Sequence, residues 1–322
     1  MSAQDNLTAP TAAPVAPKPP SRLYRIWDSD VFYSFRRSPV TIVAAIVTVT
    51  MLLAALFAPW IAPYNPFNPA SLNLMDGFTP PMTESMMGNF FVLGSDHQGR
   101  DVLSTILYGS RVSIFVGLSA TLFAMTLGVS LGLAAGYLGG TTDSVIMRIA
   151  DIQLSFPAIL IALLIFGVAR GIIPPSRQES MAIYVLIVAI GLSNWAQFAR
   201  TVRGATMVER QKDYVSAARI MGVHPLAILI RHVLPNVTGP VLVIGTIGLA
   251  LAIIEEATLS FLGVGVPPTQ PSLGTLIRIG QQFLFSGEWW ILLFPAITLV
   301  MLALAVNLLG DWLRDALNPR LR

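Results

Sequence analysis

The chain has 322 residues, 54% apolar and 11% charged, which excludes an ordinary soluble fold, where about 25% of residues carry charge. Its net charge of +3 would suit a nucleic-acid binder, but the 20 Lys and Arg collect between apolar runs, as in loops beside membrane spans. The lack of any cysteine excludes a disulfide framework and a Cys-ligated metal.

Residues 1–38 read as a cytoplasmic tail. An Ala/Pro tract, Ala9 to Pro20, has almost nothing to bury, and Arg22, Arg25, Arg36 and Arg37 precede the first apolar run. That run, Val40 to Ile61 within a first span of residues 39–62, is long enough to cross a hydrocarbon core of about 30 Å. An extracytoplasmic segment, 63–110, opens Pro/Asn-rich and becomes helix-like from Asp101 through Tyr108. Residues 111–311 form a core of five further spans: Val112 to Leu138, Ile152 to Ala169, Met181 to Phe198, Val237 to Leu262 and Trp289 to Leu309. Residues 312–322 are a C-terminal tail. The expected fold is therefore an all-α membrane protein of about six transmembrane helices.

Charge sets the orientation. With the N-terminus inside, the cytoplasmic segments hold 15 basic residues and the outer segments five, namely Arg100, Arg111, Arg170, Arg177 and Arg278. The positive-inside rule then places both termini in the cytoplasm. Trp60, Tyr64, Trp289 and Trp290 fall at span ends, where an aromatic belt is expected. Gly128, Gly132 and Gly136 recur every four residues and permit close helix contact. Pro157 and Pro295 are candidate kinks. In the outer segment, Asp96, Arg100 and Asp101 are expected to hold a helix by caps and ion pairs, with Ser95 or Asp96 able to cap it. His97 has no partner histidine on its side of the membrane, so no metal site is expected.

The cytoplasmic loop 199–236 is longer than a connection needs and has the composition of helices. Within it, DYVSAARIMG runs from Asp213 to Gly222 and VHPLAILIRHVLPN from Val223 to Asn236. Tyr214, Ala218 and Gly222 fall at i, i+4 and i+8, and Val215, Ala218 and Gly222 at i, i+3 and i+7, a stripe narrowing to small side chains that admits close packing. Gly222 can end the helix in the left-handed conformation, and Pro225 suits the first turn of the next. The second helix is expected to end before Leu234 and Pro235.

This loop resembles the Glu-Ala-Ala loop of bacterial binding-protein-dependent ABC importers. The whole chain is similar to the C-type permease of dipeptide and oligopeptide importers, in the loop and in LGSDHQGRDVLSTILYGSRVS (Leu93 to Ser113), IIEEATLSFLGVGVPP (Ile253 to Pro268) and NLLGDWLRDALNPRLR (Asn307 to Arg322). The resemblance implies the type I importer permease fold in a bacterial inner membrane, forming the path for di- or oligopeptides or similar solutes. It implies a sister permease, two ATPase subunits and an extracytoplasmic substrate-binding protein as partners. The coupling residues would be Asp213, Tyr214, Ser216, Ala217, Ala218, Arg219, Gly222, Leu234 and Pro235. Ser216 stands where the family often has Glu, and Pro271, Ser272, Leu273 and Gly274 stand where many relatives have Pro-Glu-Trp-Gly.

The chain is not expected to be an enzyme or to hold a cofactor. A phosphate loop needs Gly-Lys-Ser/Thr, and the only lysines, Lys18 and Lys212, do not fit. ATP and magnesium belong to the partner ATPases. The competing reading is a self-sufficient channel or ion-coupled transporter, for which charges near the membrane centre would be expected. Glu255 and Glu256 are candidates to line the path, or else for interhelical bonding. Glu255 lies 18 residues past Val237, roughly 27 Å along the helix, toward the outer end of its span.

Overall fold

The computed structural model describes residues 30–67 and 72–317. The reading of 1–29 and of the last five residues as tails, with Lys18, Arg22, Arg25, Arg320 and Arg322, lies outside them. Part of the expected N-terminal tail is helical: α1, Asp30–Arg37, precedes Ser38, whose hydroxyl accepts from the Thr41 amide at 3.3 Å and caps α2, Pro39–Leu56. Pro39 suits that first turn because its missing N–H had no helical partner to lose.

Between α2 and the next long helix the chain builds a small unit in which β1, Thr83–Glu84, pairs antiparallel with β2, Phe90–Phe91. Asp96, Arg100 and Asp101 hold the next helix by a cap and an ion pair as expected, but the cap is Asp101 and not Ser95 or Asp96. Asp101 caps α3, Val102–Leu138, by accepting from the Ser104 amide at 2.8 Å. Asp96 instead closes the loop, accepting from the Gln98 and Arg100 amides and pairing with the Arg100 guanidinium at 2.9 Å. The helix-like stretch from Asp101 to Tyr108 is not separate; it is the first turns of the 37-residue α3. Trp290 is also not a belt residue. It is 7% exposed and donates its indole N–H to the Ser95 carbonyl at 3.0 Å, fixing the β1–β2 unit to the last long helix.

The third apolar run does not form one straight helix. α4, Gly140–Leu154, and α5, Ala158–Ile172, meet at 97° across Ser155 to Pro157. Pro157 stands immediately before α5, where a residue with fixed φ and no N–H starts a helix more readily than it continues one. α6 spans Pro175–Glu209, so the fourth span continues well into the segment expected to be loop. After the short helices α7, Asp213–Ile220, and α8, Pro225–Ile228, comes a π-helical turn, Leu229–Val233, and then α9, Leu234–Phe261. No break occurs before Leu234 and Pro235, as the sequence had suggested. The π turn bonds the Leu234 amide back to the Leu229 carbonyl, and the helix passes Pro235 without a stop. α10, Leu273–Gln281, and α11, Trp290–Leu317, complete the chain, and α11 runs on through Pro295.

Among the described residues, five helices are long and apolar enough to cross a membrane, or six spans if the bent α4–α5 pair counts as one. Many large apolar side chains, such as Val43, Ile46 and Leu56 on α2, face outward, as hydrocarbon solvent allows. The central packing is α3 against α6. A Cβ on Gly128 would come within 2.5 Å of the Trp195 carbonyl oxygen, on Gly132 within 2.5 Å of the Ala199 carbonyl oxygen, and on Gly136 within 2.7 Å of Thr206. The glycine repeat thus brings two backbones together, as expected of small residues every four positions.

α3 runs from the β1–β2 unit to the end of the bundle that holds the α6–α8 loop, where the Arg210 guanidinium donates to the Gly136 carbonyl at 2.9 Å. α11 starts beside Ser95 and reaches Trp312, whose ring packs edge-to-face on Phe35. The first and last described helices therefore meet at the same end of the bundle as the α6–α8 loop.

Candidate functional site

The loop between α6 and α9 is built from local turn chemistry. Asp213 in the first turn of α7 and Arg219 in the last complement the helix dipole. Gly222 adopts φ +77°. Its amide donates to the Arg219 carbonyl at 3.0 Å and the Val223 amide to the Ala218 carbonyl at 3.1 Å, which together close the helix with a left-handed cap. A Cβ at Gly222 would meet nothing within 4 Å, so glycine is favoured here by backbone conformation and not by space. The His224 ring nitrogen Nδ1 then accepts from the Leu226 amide, and Pro225 opens α8 as expected.

The expected stripe is split: α7 turns Val215 and Ala218 inward and leaves Tyr214 and Gly222 exposed. Val215 and Ala218 are buried against Val202 of α6, Leu133 of α3, and Ile228, Val233 and Val237. Ala218 is thus a contact of the loop with its own bundle. The outward face carries Asp213, Ser216, Ala217, Arg219 and Gly222. Ile220, 88% exposed, and Met221, 73% exposed, project at the tip. Sequence reasoning passed over these two. The available signal was a pair of large apolar residues beside a helix-ending glycine, outside any span.

Tyr214 belongs to a polar cluster more than to a small-residue stripe. Its hydroxyl donates to Glu209 Oε1 at 2.5 Å and accepts from Asn236 Nδ2 at 3.1 Å, and Asn236 Nδ2 also donates to the His232 carbonyl at 2.7 Å. Lys212 Nζ pairs with the other Glu209 oxygen at 2.8 Å. The end of α6, the start of α7 and the entry to α9 are therefore linked through one phenol. Burial, and then the Glu209 carboxylate, push the Tyr214 hydroxyl up to about 12, so it stays protonated at neutral pH. Leu234 is half-buried against the apolar cluster that holds Val215 and Ala218, whereas Pro235 is exposed.

At the far end of α9 the two acids do different things. Asn194 Nδ2 of α6 donates to Glu255 Oε2 at 2.7 Å, an interhelical bond. Glu256 is 0% exposed; Oε1 accepts from the Ser260 hydroxyl at 2.7 Å, and Oε2 has no hydrogen-bond partner. The Ser113 and Ser272 hydroxyls stand near this carboxyl, but neither closes a hydrogen bond on Oε2. Glu256 thus packs into the chain's interior, and Glu255 is bonded across to a neighbouring span. On α4, Asp143 pairs with Arg203 and Asp151 with Arg200, tying the elbow to α6. Among the described residues no three His, Asp or Glu side chains converge as a metal site would need.

Comparison with known proteins bears on this arrangement. Residues 128–322 match the family described as "binding-protein-dependent transport system inner membrane component", and residues 26–81 match the N-terminal TM domain of oligopeptide transport permease C. The chain is 37% identical over 310 residues to the dipeptide transport system permease protein DppC of Escherichia coli, covering 95% of this chain and 96% of that protein. It is 35% identical to DppC of Haemophilus influenzae, over 95% and 97% of the two chains. To the oligopeptide transport system permease protein OppC of Bacillus subtilis it is 33% identical, over 98% of each. A solved chain of the MetNI methionine ABC transporter superposes with a TM-score of 0.52 at 21% identity, over 66% of this chain and 96% of that one.

Proposed function

Because the chain belongs to the family of binding-protein-dependent transport system inner membrane components, we propose that it forms, with a sister permease, the path by which an ABC importer brings di- or oligopeptides across the bacterial inner membrane. Family membership in an ABC importer permease decides against a self-sufficient channel or ion-coupled transporter. The peptide class rests on the dipeptide and oligopeptide permeases to which the chain is similar along nearly its whole length.

The energy for transport comes from two separate ATPase subunits, and an extracytoplasmic binding protein delivers the solute. The α6–α8 loop couples them, with both termini and the loop in the cytoplasm. The observation that carries this reading is the tip of the loop. Its inner face is fastened by Val215 and Ala218, yet Ile220 and Met221 are held out by a structured turn. Burying such a side chain is worth about 1.5–3 kcal/mol, so a rigid loop that leaves two exposed is suited to a protein partner. Ser216, Ala217 and Arg219 flank the contact, and Tyr214 transmits movement of α7 to both adjoining spans. Asp213, Gly222, Leu234 and Pro235 set the loop's ends.

The chain contains no cysteine, so Met221→Cys gives a unique attachment point for a photo-reactive maleimide. Cross-linking of that position to an ATPase subunit in membranes is the expected result. Cross-links to lipid alone would remove the coupling role while leaving family membership untouched.

A further inference from the structure

About 40 Å from the coupling loop along α9, the chain folds over a polar cavity of about 390 Å³ between the start of α6, the loop after α9, and α10. Two cations line it, Arg170 and Arg278. Arg278 stands in the last turn of α10, and its Nη1 would lie 3.2 Å from a Cβ at Gly263. Gly263 has φ +80°, so the guanidinium covers a turn that favours glycine. Its Nε is buried and has no hydrogen-bond partner. Neither arginine makes an ion pair among the described residues. The cavity's one acid, Glu179, is held by the Thr269 hydroxyl.

A guanidinium offers five N–H donors in a planar fork that matches a carboxylate, and a buried donor without a partner, as at Arg278 Nε, is costly; Arg170 is exposed and lies over the Phe166 ring at 5.9 Å. The recess opens at the end of the bundle opposite the coupling loop, which on the proposed function is the side where the binding protein arrives. We infer that Arg278 and Arg170 form a carboxylate socket that receives one acidic side chain of the extracytoplasmic binding protein. The socket anchors the docked binding protein beside the loop Gly263 to Pro268, next to the end of α9.

The inference rests on the proposed importer function, so the experiment separates the two. The complete importer in nanodiscs is titrated with its cognate binding protein, and ATP hydrolysis without binding protein is measured in parallel. Arg278→Gln should raise the dissociation constant about tenfold or more, since a charge-assisted contact loses one partner. Arg278→Lys should lose less, and Arg170→Gln about threefold, with a flatter dependence on ionic strength in each Gln variant. Hydrolysis without binding protein should not change. Arg170 is exposed, so its variant remains informative if Arg278→Gln fails to assemble.

Docking within about twofold of the unaltered complex in both Gln variants, or equal losses for Gln and Lys at 278, would overturn the inference. So would unchanged docking with a raised KM for the delivered solute, which would assign the socket to a carboxylate of the solute. An unaltered complex that neither captures a binding protein nor hydrolyses ATP would fail the importer reading itself.

Discussion

Tyr214 gives its hydroxyl hydrogen to Glu209 Oε1 at 2.5 Å, joining the short helix of the loop to the last residue of the long helix before it. Asn236 donates to the same phenol from the start of the next span. Tyr214→Phe removes both bonds and leaves the ring in place. Part of the side chain is open to water, so the loss should be near 1 kcal/mol, enough to reduce transport per ATP about fivefold while the ATPases still copurify. The check is the ratio of uptake to hydrolysis in proteoliposomes. An unchanged ratio would mean that the cluster only decorates the loop.

The same phenol sets a pH expectation. Its folded-state pKa is raised from 10.0 to about 12, so the stability it contributes is complete below pH 10 and is lost as pH rises through about 12. Coupling should therefore be flat through Tyr214 from pH 7 to 9.5. Any alkaline loss traced to this group should fall between pH 10 and 12 and be missing in Tyr214→Phe. A Tyr214-dependent transition near pH 8 would contradict the described hydrogen bonding.

Gly132→Val tests the α3–α6 contact. The added side chain begins 2.5 Å from the Ala199 carbonyl oxygen, and backbone cannot yield as a side-chain tip can. Destabilisation of about 3 kcal/mol is expected, read as a lower unfolding midpoint in detergent. Gly204→Ala, where a Cβ meets nothing within 4 Å, should be neutral or slightly stabilising.

These particulars show what the sequence could and could not reveal. The glycine spacing in α3 and the turn at Gly222 were legible, because a four-residue repeat and a left-handed cap are local demands on the backbone. The direction of the α7 stripe was not. Periodicity places Ala218 on one side of a helix without saying whether that side meets the chain's own bundle or a partner. The elbow was partly legible: Pro157 marked a kink, but not a 97° break, because hydropathy reads straight through Ser155 to Pro157. Arg278 gave no sign, since its unpaired state depends on α9, α10 and the Gly263 turn meeting in space.

The acids of α9 should behave differently. Asn194 and Glu255 form a pair across two helices, so Asn194→Leu and Glu255→Leu should be non-additive by about 0.6 to 1.7 kcal/mol in a double-mutant cycle of stability. Glu256→Gln should be tolerated, because the new amide replaces an oxygen that has no partner and can donate toward the nearby serine hydroxyls. Full additivity at Glu255, or collapse of the protein in Glu256→Gln, would contradict these assignments.

The central claim is that the tip of the α7 loop is where the membrane chain meets its ATPases. Binding-protein-stimulated ATP hydrolysis by the reconstituted complex carrying Met221→Asp tests it most directly, beside a pull-down of the ATPase subunits. A carboxylate in an apolar contact should weaken capture at least tenfold to a hundredfold, by about 1.5–3 kcal/mol. Gly222→Leu should act in the same direction, by straining the left-handed turn by about 1–2 kcal/mol. Both variants should keep a normal protein level and pairing with the sister permease, since the altered residues are exposed. If both capture the ATPases and show the same stimulated hydrolysis as the unaltered chain, the coupling site lies elsewhere.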